Sequence, residues 1–241
     1  MNIQSLGIID STNNWLAYHE KELQAPLLVF CHTQKAGRGQ RGNSWESEPG
    51  KNITASLLFR LTDFPALQQF QISEAIALAI TEFLKEEGVE AKVKWPNDIY
   101  VGDKKICGIL VEHSVTGRFI NRTIAGFGIN LNQTEFKSGA PNPISLKMLT
   151  RKEYNVEKCV EKLGVILKKY IDGLDSRISY HEKFLSKLWR GDKNYYKFFD
   201  RKNEEFIDAR ISEIAQDGLL TLTTADGQSR VYAFKEVEFL I

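Results

Sequence analysis

The stretch KWPNDIYVGDKKICGILVE, residues 94 to 112, carries the sequence signature of a β-hairpin. Apolar runs flank Gly102-Asp103, and a two-residue turn that begins with glycine commonly joins antiparallel strands. We therefore predict strands over residues 92–95, 99–101 and 105–112. Regular alternation along the return strand predicts that Lys105 shares a face with Cys107, while the apolar Ile106 faces the core.

The same hairpin brings a lysine close to carboxylates. Pro96 ends the first strand and leaves Asn97 and Asp98 at a strand junction. A half-buried Lys105 there is suited to stabilising negative charge that develops on a phosphate. The alternative is an ordinary ion pair between an exposed lysine and Asp98 or Asp103. For this stretch taken alone, the ion pair is the preferred interpretation.

Upstream, residues 34 to 51 predict a long glycine-rich loop. Gly37 to Gly42 satisfies the G-x-G-x-x-G pattern of dinucleotide-binding proteins, but the residues that follow are poor helix formers, so the context this pattern requires is missing. The glycine N–H groups and three cations, Lys35, Arg38 and Arg41, slightly favour phosphate binding over a solvated loop. Trp45, just beyond, could stack on a nucleobase.

Two polar segments each allow two interpretations. Ser11-Thr12-Asn13 precedes a predicted helix and could bind a polar ligand, but helix capping alone explains the triplet and is preferred. Gly126 and Gly128 lie in a predicted strand over residues 122–131. Glycines inside a strand indicate either a bulge or the close approach of a ligand or another backbone, and the sequence favours neither.

The rest of the chain predicts helices and strands followed by a small β domain. We expect helices over residues 13–23, 67–87 and 155–189, and further strands over 27–32 and 52–61. The second helix should end at Gly88 and the third should break near Gly173. Turn signals at Asp217-Gly218 and Asp226-Gly227 predict closely spaced strands and a small β-barrel. The predicted domains are residues 1–190 and 191–241.

Composition excludes several classes of protein. The 241 residues carry 32 Lys+Arg and 31 Asp+Glu, a net charge of +1 that argues against bulk attraction to nucleic acid or membrane. No apolar run approaches the roughly 20 residues that span a bilayer. Three well-separated cysteines argue against a disulfide framework and favour a cytoplasmic protein. The histidines lack metal-ligand spacing and no Gly-x-Ser-x-Gly is present, which disfavours zinc sites and hydrolytic triads.

Taken together and in this order, these segments resemble the biotin–protein ligase family. The residues that carry the resemblance are Ser11-Thr12-Asn13, Gly37 to Gly42 with Trp45, Lys94 to Asp98, Lys105 to Glu112 and Gly126 to Leu131. Each fragment is unspecific alone, but the set is highly specific and spans most of residues 8–132. The resemblance implies an α+β fold, with a mixed β-sheet catalytic domain flanked by helices and followed by a small SH3-like β-barrel.

The resemblance also implies an activity, that of a biotin–[acetyl-CoA-carboxylase] ligase. Such enzymes use ATP and Mg²⁺ to convert biotin to biotinyl-5′-AMP and pyrophosphate, and then transfer biotin to a lysine of a biotin carboxyl carrier protein or domain. Members that also repress transcription carry an N-terminal helix-turn-helix domain. Because only ten residues precede Ser11, we expect a ligase with no DNA and no membrane partner. Members include monomers and dimers, so a homodimer is left open.

Carried over motif by motif, the resemblance implies two catalytic residues, Lys105 and Arg38. Lys105 would contact the biotin carboxylate and the α-phosphate, Arg38 would balance charge, and Asp98 would also lie near Mg²⁺. The implied substrate-binding residues are Ser11, Thr12, Asn13, Gln34, Gly37, Gly39, Gln40, Arg41, Gly42, Trp45, Asn97, Asp98, Gly108, Leu110 and Asn130. The first four of these would face the ureido ring of biotin, whose groups both donate and accept hydrogen bonds. Trp45 would pack against adenine and Asn130 would lie near the nucleotide.

One residue departs from the family pattern, and two other interpretations compete. Gln40 stands where many members have a second arginine, which is associated with retention of the adenylate, so either Arg41 compensates or the intermediate leaks. A lipoate–protein ligase would share the adenylate chemistry, although the Arg-Gly loop and the C-terminal barrel favour biotin. A noncatalytic biotin or nucleotide sensor would not need Arg38, Lys105 and Asp98 together.

Overall fold

The computed structural model of the chain describes residues 1–137 and 142–241, except the side chain of Arg41. The strands are β1 (Asn2–Ile9), β2 (Leu27–Gln34), β3 (Ile53–Phe59), β4 (Phe64–Pro65), β5 (Lys92–Lys94), β6 (Asp98–Val101), β7 (Lys104–Thr116), β8 (Phe119–Ile129), β9 (Tyr196–Asp200), β10 (Glu205–Ile214), β11 (Leu220–Thr224), β12 (Ser229–Tyr232) and β13 (Val237–Phe239). The helices are α1 (Thr12–His19), α2 (Gln69–Glu86), α3 (Leu146–Thr150), α4 (Val156–Asp175) and α5 (His181–Ser186).

The first eight strands form one mixed sheet. Its order is β1-β2-β3-β8-β7-β6-β5, with β4 paired to β8. The helix α1 connects β1 to β2 along the chain, and these two strands pair in parallel. The other neighbours pair antiparallel. The hairpin predicted at Gly102-Asp103 is confirmed, because β6 and β7 are joined by a turn in which Gly102 has a φ of +57°, a conformation that glycine adopts readily.

Helices cover both faces of this sheet, as expected for the predicted α+β class. Successive residues of β2 point to opposite faces. Leu28 belongs to the main core, which includes the buried faces of α2 and α4. Leu27 and Val29 instead pack with Leu16 of α1 in a smaller cluster. Burying a leucine or valine side chain stabilises the fold by about 1.5–3 kcal/mol, so the alternation in β2 determines which helix packs on which face.

The helix ends follow the prediction at two of three positions. The C-terminal glycine of α2 is confirmed, since Gly88 has a φ of +84°. The predicted break near Gly173 is confirmed, because α4 ends at Asp175, two residues after Gly173, and α5 begins at His181. Gly173 also leaves room for the hydroxyl of Tyr180. The first helix stops earlier than predicted, at His19.

A β-bulge corrects the predicted faces of the return strand. The pairing of β6 with β7 shifts at Ile106, because Lys105 and Cys107 pair with successive residues of β6. An extra residue of this kind interrupts the alternation of faces. Both Ile106 and Cys107 are therefore fully buried in the core, and Lys105 shares its face with Gly108, whose Cα hydrogens face the Lys105 stem.

The second sheet has the order β12-β11-β10-β9-β13 and is antiparallel throughout. The turn signals at Asp217-Gly218 and Asp226-Gly227 are confirmed, since each glycine turns a hairpin with a positive φ. The indole N–H of Trp95 donates to the Gly218 carbonyl at 2.9 Å, which ties this sheet to the loop between β5 and β6. Whether the sheet closes as an SH3-like barrel, and where the domain boundary lies, stay predictions.

The cysteines are unpaired, as their spacing predicted. Cys31, Cys107 and Cys159 are buried and none forms a disulfide. Burial raises the pKa of Cys159 to about 11, so this thiol is unreactive near neutral pH. Within residues 1–137 and 142–241, no helix is both long and apolar enough to cross a bilayer.

Candidate active site

A cavity of about 970 Å³ lies over the larger sheet and reaches the smaller one. It crosses the strands from β3 through β8, β7 and β6 to β5, and most of the sequence-predicted site residues border it. Those that line it are Ser11, Thr12, Asn13, Gln34, Arg38, Gly39, Gln40, Gly42, Trp45, Asn97, Asp98, Lys105, Gly108 and Leu110. Motifs almost 100 residues apart in the chain therefore form one wall.

One end of the cavity, the amide end, is a network of neutral hydrogen bonds at the start of α1. The Thr12 amide donates to Oε1 of Gln34 at 2.9 Å, and the Thr12 hydroxyl lies 3.1 Å from the same atom. The Ser56 hydroxyl lies 2.6 Å from Thr12 Oγ1 and 2.5 Å from Asn13 Oδ1. Ser11 caps α1 by accepting from the Asn14 amide, so the capping interpretation is confirmed while its neighbours face the cavity.

Glu112 joins the amide end to the glycine-rich loop. One carboxylate oxygen accepts from Asn13 Nδ2 at 2.7 Å and the other accepts from Arg38 Nη2 at 2.9 Å. Arg38 also donates to Oδ1 of Asn14 at 2.6 Å. The bidentate use of one carboxylate fixes the loop cation and the amide in a single arrangement. The ring of His113, the next residue along β7, bonds to Thr123 instead.

The other end, the charged end, is built on Lys105 and Asp98. Lys105 Nζ lies 2.6 Å from Asp98 Oδ1, with only 23% and 17% of their side chains exposed. Both interpretations of the hairpin therefore hold in part, because the lysine is in an ion pair and is also half-buried in the cavity. The bulge at Ile106 produces this geometry, since it turns Lys105 toward Asp98 and Gly108. Charges this shielded from water interact more strongly than surface charges.

Trp45 lies between the two ends, on a surface made by glycines. Gly108 and Gly128 are direct partners across β7 and β8, and a Cβ on Gly108 would come within 2.9 Å of the Trp45 ring. A Cβ on Gly128 would overlap the ring, and one on Gly126 would overlap the Asn13 amide. The pairing of β8 is regular at these glycines, so they serve close approach of side chains and not a bulge. The Trp45 indole nitrogen is buried without a hydrogen-bond partner.

The loop around Trp45 holds its shape through backbone bonds. The Trp45 amide donates to the Gly37 carbonyl at 2.9 Å and the Gly39 amide donates to the Asn43 carbonyl at 2.7 Å. Gly42 has a φ of +86° and ends a single 3-10 turn, so the helix required by the dinucleotide pattern is absent here, as expected. Gly37 packs beneath the Trp45 backbone and does not border the cavity.

Three other predicted residues have distinct positions. Asn97 lines the cavity while its Nδ2 donates to the Ile109 carbonyl at 2.7 Å, which fixes the start of β6. Asn130 does not border the cavity. It is buried, donates to the Ile144 carbonyl at 3.1 Å, and leaves its Oδ1 without a partner. The predicted role of the Arg41 side chain lies outside the described part of the chain.

The sequence did not predict several residues that hold or complete the cavity wall. Ser56 and Glu112 stand in ordinary-looking strands, and only the pairing of β3 with β8 and the position of α1 give them their contacts. The smaller sheet supplies another part of the wall, at Arg201 and at residues 234–235 and 237–241. Gly-Asp turn signals predicted that sheet, but no local signal indicated where its last strand would lie.

A hard cation such as Mg²⁺ prefers oxygen ligands and commonly uses one or two carboxylates together with substrate phosphates. Asp98 is the predicted residue that offers a carboxylate in the cavity, and its Oδ1 is engaged by Lys105. Over the residues that the structure describes, no group of three or more His, Cys, Asp or Glu is arranged to hold a metal alone. These residues therefore fit a metal whose ligands come mainly from substrate phosphates, with Asp98 as a single protein ligand.

A family model and curated relatives match this chain. The model of the "Biotin/lipoate A/B protein ligase family" matches residues 6–130. The chain is 34% identical over 142 residues to the bifunctional ligase/repressor BirA of Escherichia coli, a match covering 58% of this chain and 44% of that protein. It is 29% identical over 178 residues to the biotin–[acetyl-CoA-carboxylase] ligase of Paracoccus denitrificans, covering 71% and 73%. The match to BirA thus spans less than half of that protein's length.

Solved structures share the fold over nearly the whole chain. Biotin protein ligase from Aquifex aeolicus, in complex with biotin and ATP, superposes with a TM-score of 0.78 at 24% identity and covers 99% of this chain and 98% of that one. Biotin protein ligase from Leishmania major, in complex with biotinyl-5-AMP, has a TM-score of 0.64 at 18% identity, with 96% and 98% covered. At these identities the likeness establishes the fold.

Proposed function

This chain belongs to the biotin/lipoate A/B protein ligase family, and we propose that it activates biotin with ATP and transfers the biotin to a carboxylase. The first reaction would form biotinyl-5′-AMP and pyrophosphate, and the second would join biotin to a lysine of a biotin carboxyl carrier protein or domain. The observation that carries the proposal is the cavity itself, in which a neutral amide end and a charged end lie on opposite sides of a glycine surface.

The amide end suits the ureido ring of biotin. A cyclic urea offers one carbonyl acceptor and two N–H donors, and burying such groups costs free energy unless each finds a partner. Thr12, Asn13 and Ser56 present hydroxyl and amide groups that are already held in place by one another. A site of this kind binds a matching polar ring and disfavours apolar rings, because the polar groups of the site would then be left unpaired.

The charged end suits the adenylation step. An oxygen of the biotin carboxylate attacks the α-phosphorus, the new O–P bond forms, and the bond from that phosphorus to the bridging oxygen breaks with its electron pair leaving on pyrophosphate. Two anions must approach, so cations that offset their repulsion lower the barrier. Lys105 and Arg38 are those cations, and the carboxylates that hold them, Asp98 and Glu112, fix them before substrate arrives. We assign the catalytic roles to Lys105 and Arg38.

When bound, Mg²⁺ would supply further neutralisation of the phosphates. Asp98 is the residue that would hold it, together with phosphate oxygens. The remaining protein groups act without the metal, since Lys105 orients both anions and Trp45 with Gly108 and Gly128 forms the apolar surface beside them. Asn130 is also proposed to lie near the nucleotide, as the family pattern implies, and its buried Oδ1 has no hydrogen-bond partner among the described residues.

Further parts of the proposal rest on the sequence pattern. We propose that residues 191–241 form a small SH3-like β domain beside a catalytic domain of residues 1–190, which the second antiparallel sheet supports in outline. A cytoplasmic location is proposed from the unpaired cysteines. A homodimer is not assumed for the reaction.

The test is a transfer experiment. The purified chain is incubated with ATP, Mg²⁺, labelled biotin and a biotin carboxyl carrier domain, and label on the carrier is measured by gel and mass spectrometry. We expect ATP-dependent label on one lysine. Label from lipoate in place of biotin would contradict the substrate assignment, and tight biotin binding without any adenylate would contradict the enzyme assignment.

A further inference from the structure

Lys94 is a cation in the cavity that the proposed chemistry does not yet use. It ends β5, directly opposite Asp98 in the strand register, and it lines the cavity wall. Its Nζ lies 5.3 Å from the centre of the Tyr100 ring and 5.0 Å from that of Phe239. Two aromatic rings orient a lysine side chain, and the N–H donors of its ammonium group stay available to bind another group.

Lys94 differs from three other cations of the cavity wall in its charge partners. Lys105, Arg38 and Arg201 each have a carboxylate oxygen within 2.9 Å. For Lys94, no carboxylate of the described residues lies within ion-pair distance. Its electrostatic neighbours are more distant, with Asp98 and Glu238 attracting and Lys105 and Arg190 repelling. Burial lowers the pKa of Lys94, so the protein does little to stabilise a charge that a bound anion would stabilise.

The position of Lys94 along the cavity indicates which anion it would meet. Neighbouring strands lie about 4.8 Å apart, so Lys94 on β5 stands roughly two strand spacings beyond Lys105 on β7, on the side away from the amide end. A triphosphate whose α-phosphate lies at Lys105 would extend in that direction. We propose that Lys94 binds the distal phosphates of the nucleotide and the pyrophosphate that leaves. This rests on the proposed function, because the adenylation step is what produces a pyrophosphate there.

The smaller sheet would form the far wall of this subsite. Phe239 on β13 covers Lys94, and Trp95, the next residue in the chain, is bonded to Gly218 of the same sheet. Pyrophosphate would therefore be held between the two sheets as its bond to the α-phosphorus breaks. A cation there stabilises the charge that develops on the leaving group.

Equilibrium titration of pyrophosphate, ATP and AMP into the whole chain tests the proposal. We expect Lys94→Met to lower the affinity for pyrophosphate and for ATP at least about tenfold, as is typical for loss of a hydrogen bond to a charged group. The affinity for AMP should be unchanged. The Lys94→Arg variant should bind pyrophosphate and ATP with affinities within a few-fold of wild type. Lys202→Met is the matched control, because Lys202 also lies over a ring of the smaller sheet, Tyr232, but outside the cavity.

Two results would overturn the proposal. One is unchanged pyrophosphate affinity in a Lys94→Met variant with a wild-type circular dichroism spectrum. The other is a loss of AMP affinity in that variant as large as its loss of pyrophosphate affinity. If that variant does not fold, the wild-type chain supplies the test, since pyrophosphate but not AMP should protect Lys94 from an amine-reactive reagent. Equal protection by both would also overturn it. None of these measurements uses biotin, so a failed transfer assay and a failed Lys94 test are distinguishable.

Discussion

The two ends of the cavity are built on different physical principles. At the amide end, Thr12, Asn13 and Ser56 hold one another through short neutral hydrogen bonds in a buried setting. At the charged end, Lys105 and Asp98 form an ion pair that is only partly shielded from water. Neutral groups that are mutually bonded recognise a ligand by geometry, whereas opposed charges alter the free energy of anions that approach them.

This difference divides the work between binding and chemistry. A neutral network contributes equally to substrate and transition state, so its loss should raise KM for biotin and leave kcat nearly unchanged. A cation that meets charge as it develops contributes mainly to the transition state, so its loss should lower kcat. Glu112 contacts Asn13 of the amide end and the catalytic cation Arg38 of the glycine-rich loop, and should show a mixed effect.

The largest effect is expected from Lys105→Ala. Removing this cation should lower the rate of adenylate formation by about 10²–10³-fold, as for loss of a donor to a developing oxyanion, while the circular dichroism spectrum stays that of the wild type. Biotin-dependent release of pyrophosphate measures the rate. Lys104→Ala, the exposed neighbour on the same strand, is the control, and wild-type activity in the Lys105 variant would refute its catalytic role.

A smaller effect, of a different kind, is expected from Ser56→Ala. Loss of the hydroxyl that holds Thr12 and Asn13 should raise KM for biotin about tenfold, the effect of about one hydrogen bond, with kcat within about twofold of wild type. Steady-state kinetics at saturating ATP measures both. Ser212→Ala, whose exposed hydroxyl bonds within the smaller sheet, should change neither constant. A drop in kcat with KM unchanged would contradict the division of work.

Glu112→Gln should affect both constants moderately. A glutamine can accept one of the two hydrogen bonds but presents an NH₂ group to the second donor, so either Asn13 or Arg38 loses its partner. We expect kcat/KM for biotin to fall about tenfold, with contributions from kcat and KM. Glu213→Gln on the exposed face of the smaller sheet is the control. An unchanged kcat/KM would remove Glu112 from the site.

Gln40→Arg should change selectivity more than rate. Gln40 lines the cavity and its side-chain oxygen is buried without a partner, and an arginine there would add a cation beside the adenylate phosphate. We expect a few-fold less biotin on non-cognate lysines at high biotin, because a second charge-assisted contact slows release of the adenylate. Selectivity identical to wild type would count against this role.

A separate effect, on stability alone, sets His113 apart from the site. Burial lowers the pKa of His113 to about 4 from its usual 6.5. Below pH 6.5 the unfolded chain binds a proton that the native chain does not, so the free energy of unfolding falls as the pH falls toward 4. Between pH 7 and 5 the loss is about 1–2 kcal/mol. Urea titrations should find this loss absent in His113→Gln, and an identical pH dependence would contradict it.

Local signals predicted much of the fold and part of the site. The turns at Gly102, Gly218 and Gly227 and the cap at Gly88 follow from glycine conformation, which neighbouring residues largely determine. The bulge at Ile106 does not, because it depends on the register of β6 against β7. Ser56 and Glu112 escaped for the same reason, since contacts across 43 to 99 positions come from tertiary packing.

The division between the two ends is tested most directly by single-turnover formation of biotinyl-5′-AMP at increasing biotin, in wild type, Ser56→Ala and Lys105→Ala. If the amide end binds and the charged end performs chemistry, the Ser56 variant should reach the wild-type rate once biotin saturates, whereas the Lys105 variant should level off about 10²-fold lower or more. A Lys105 variant that recovers at high biotin, or a Ser56 variant that does not, would contradict this account.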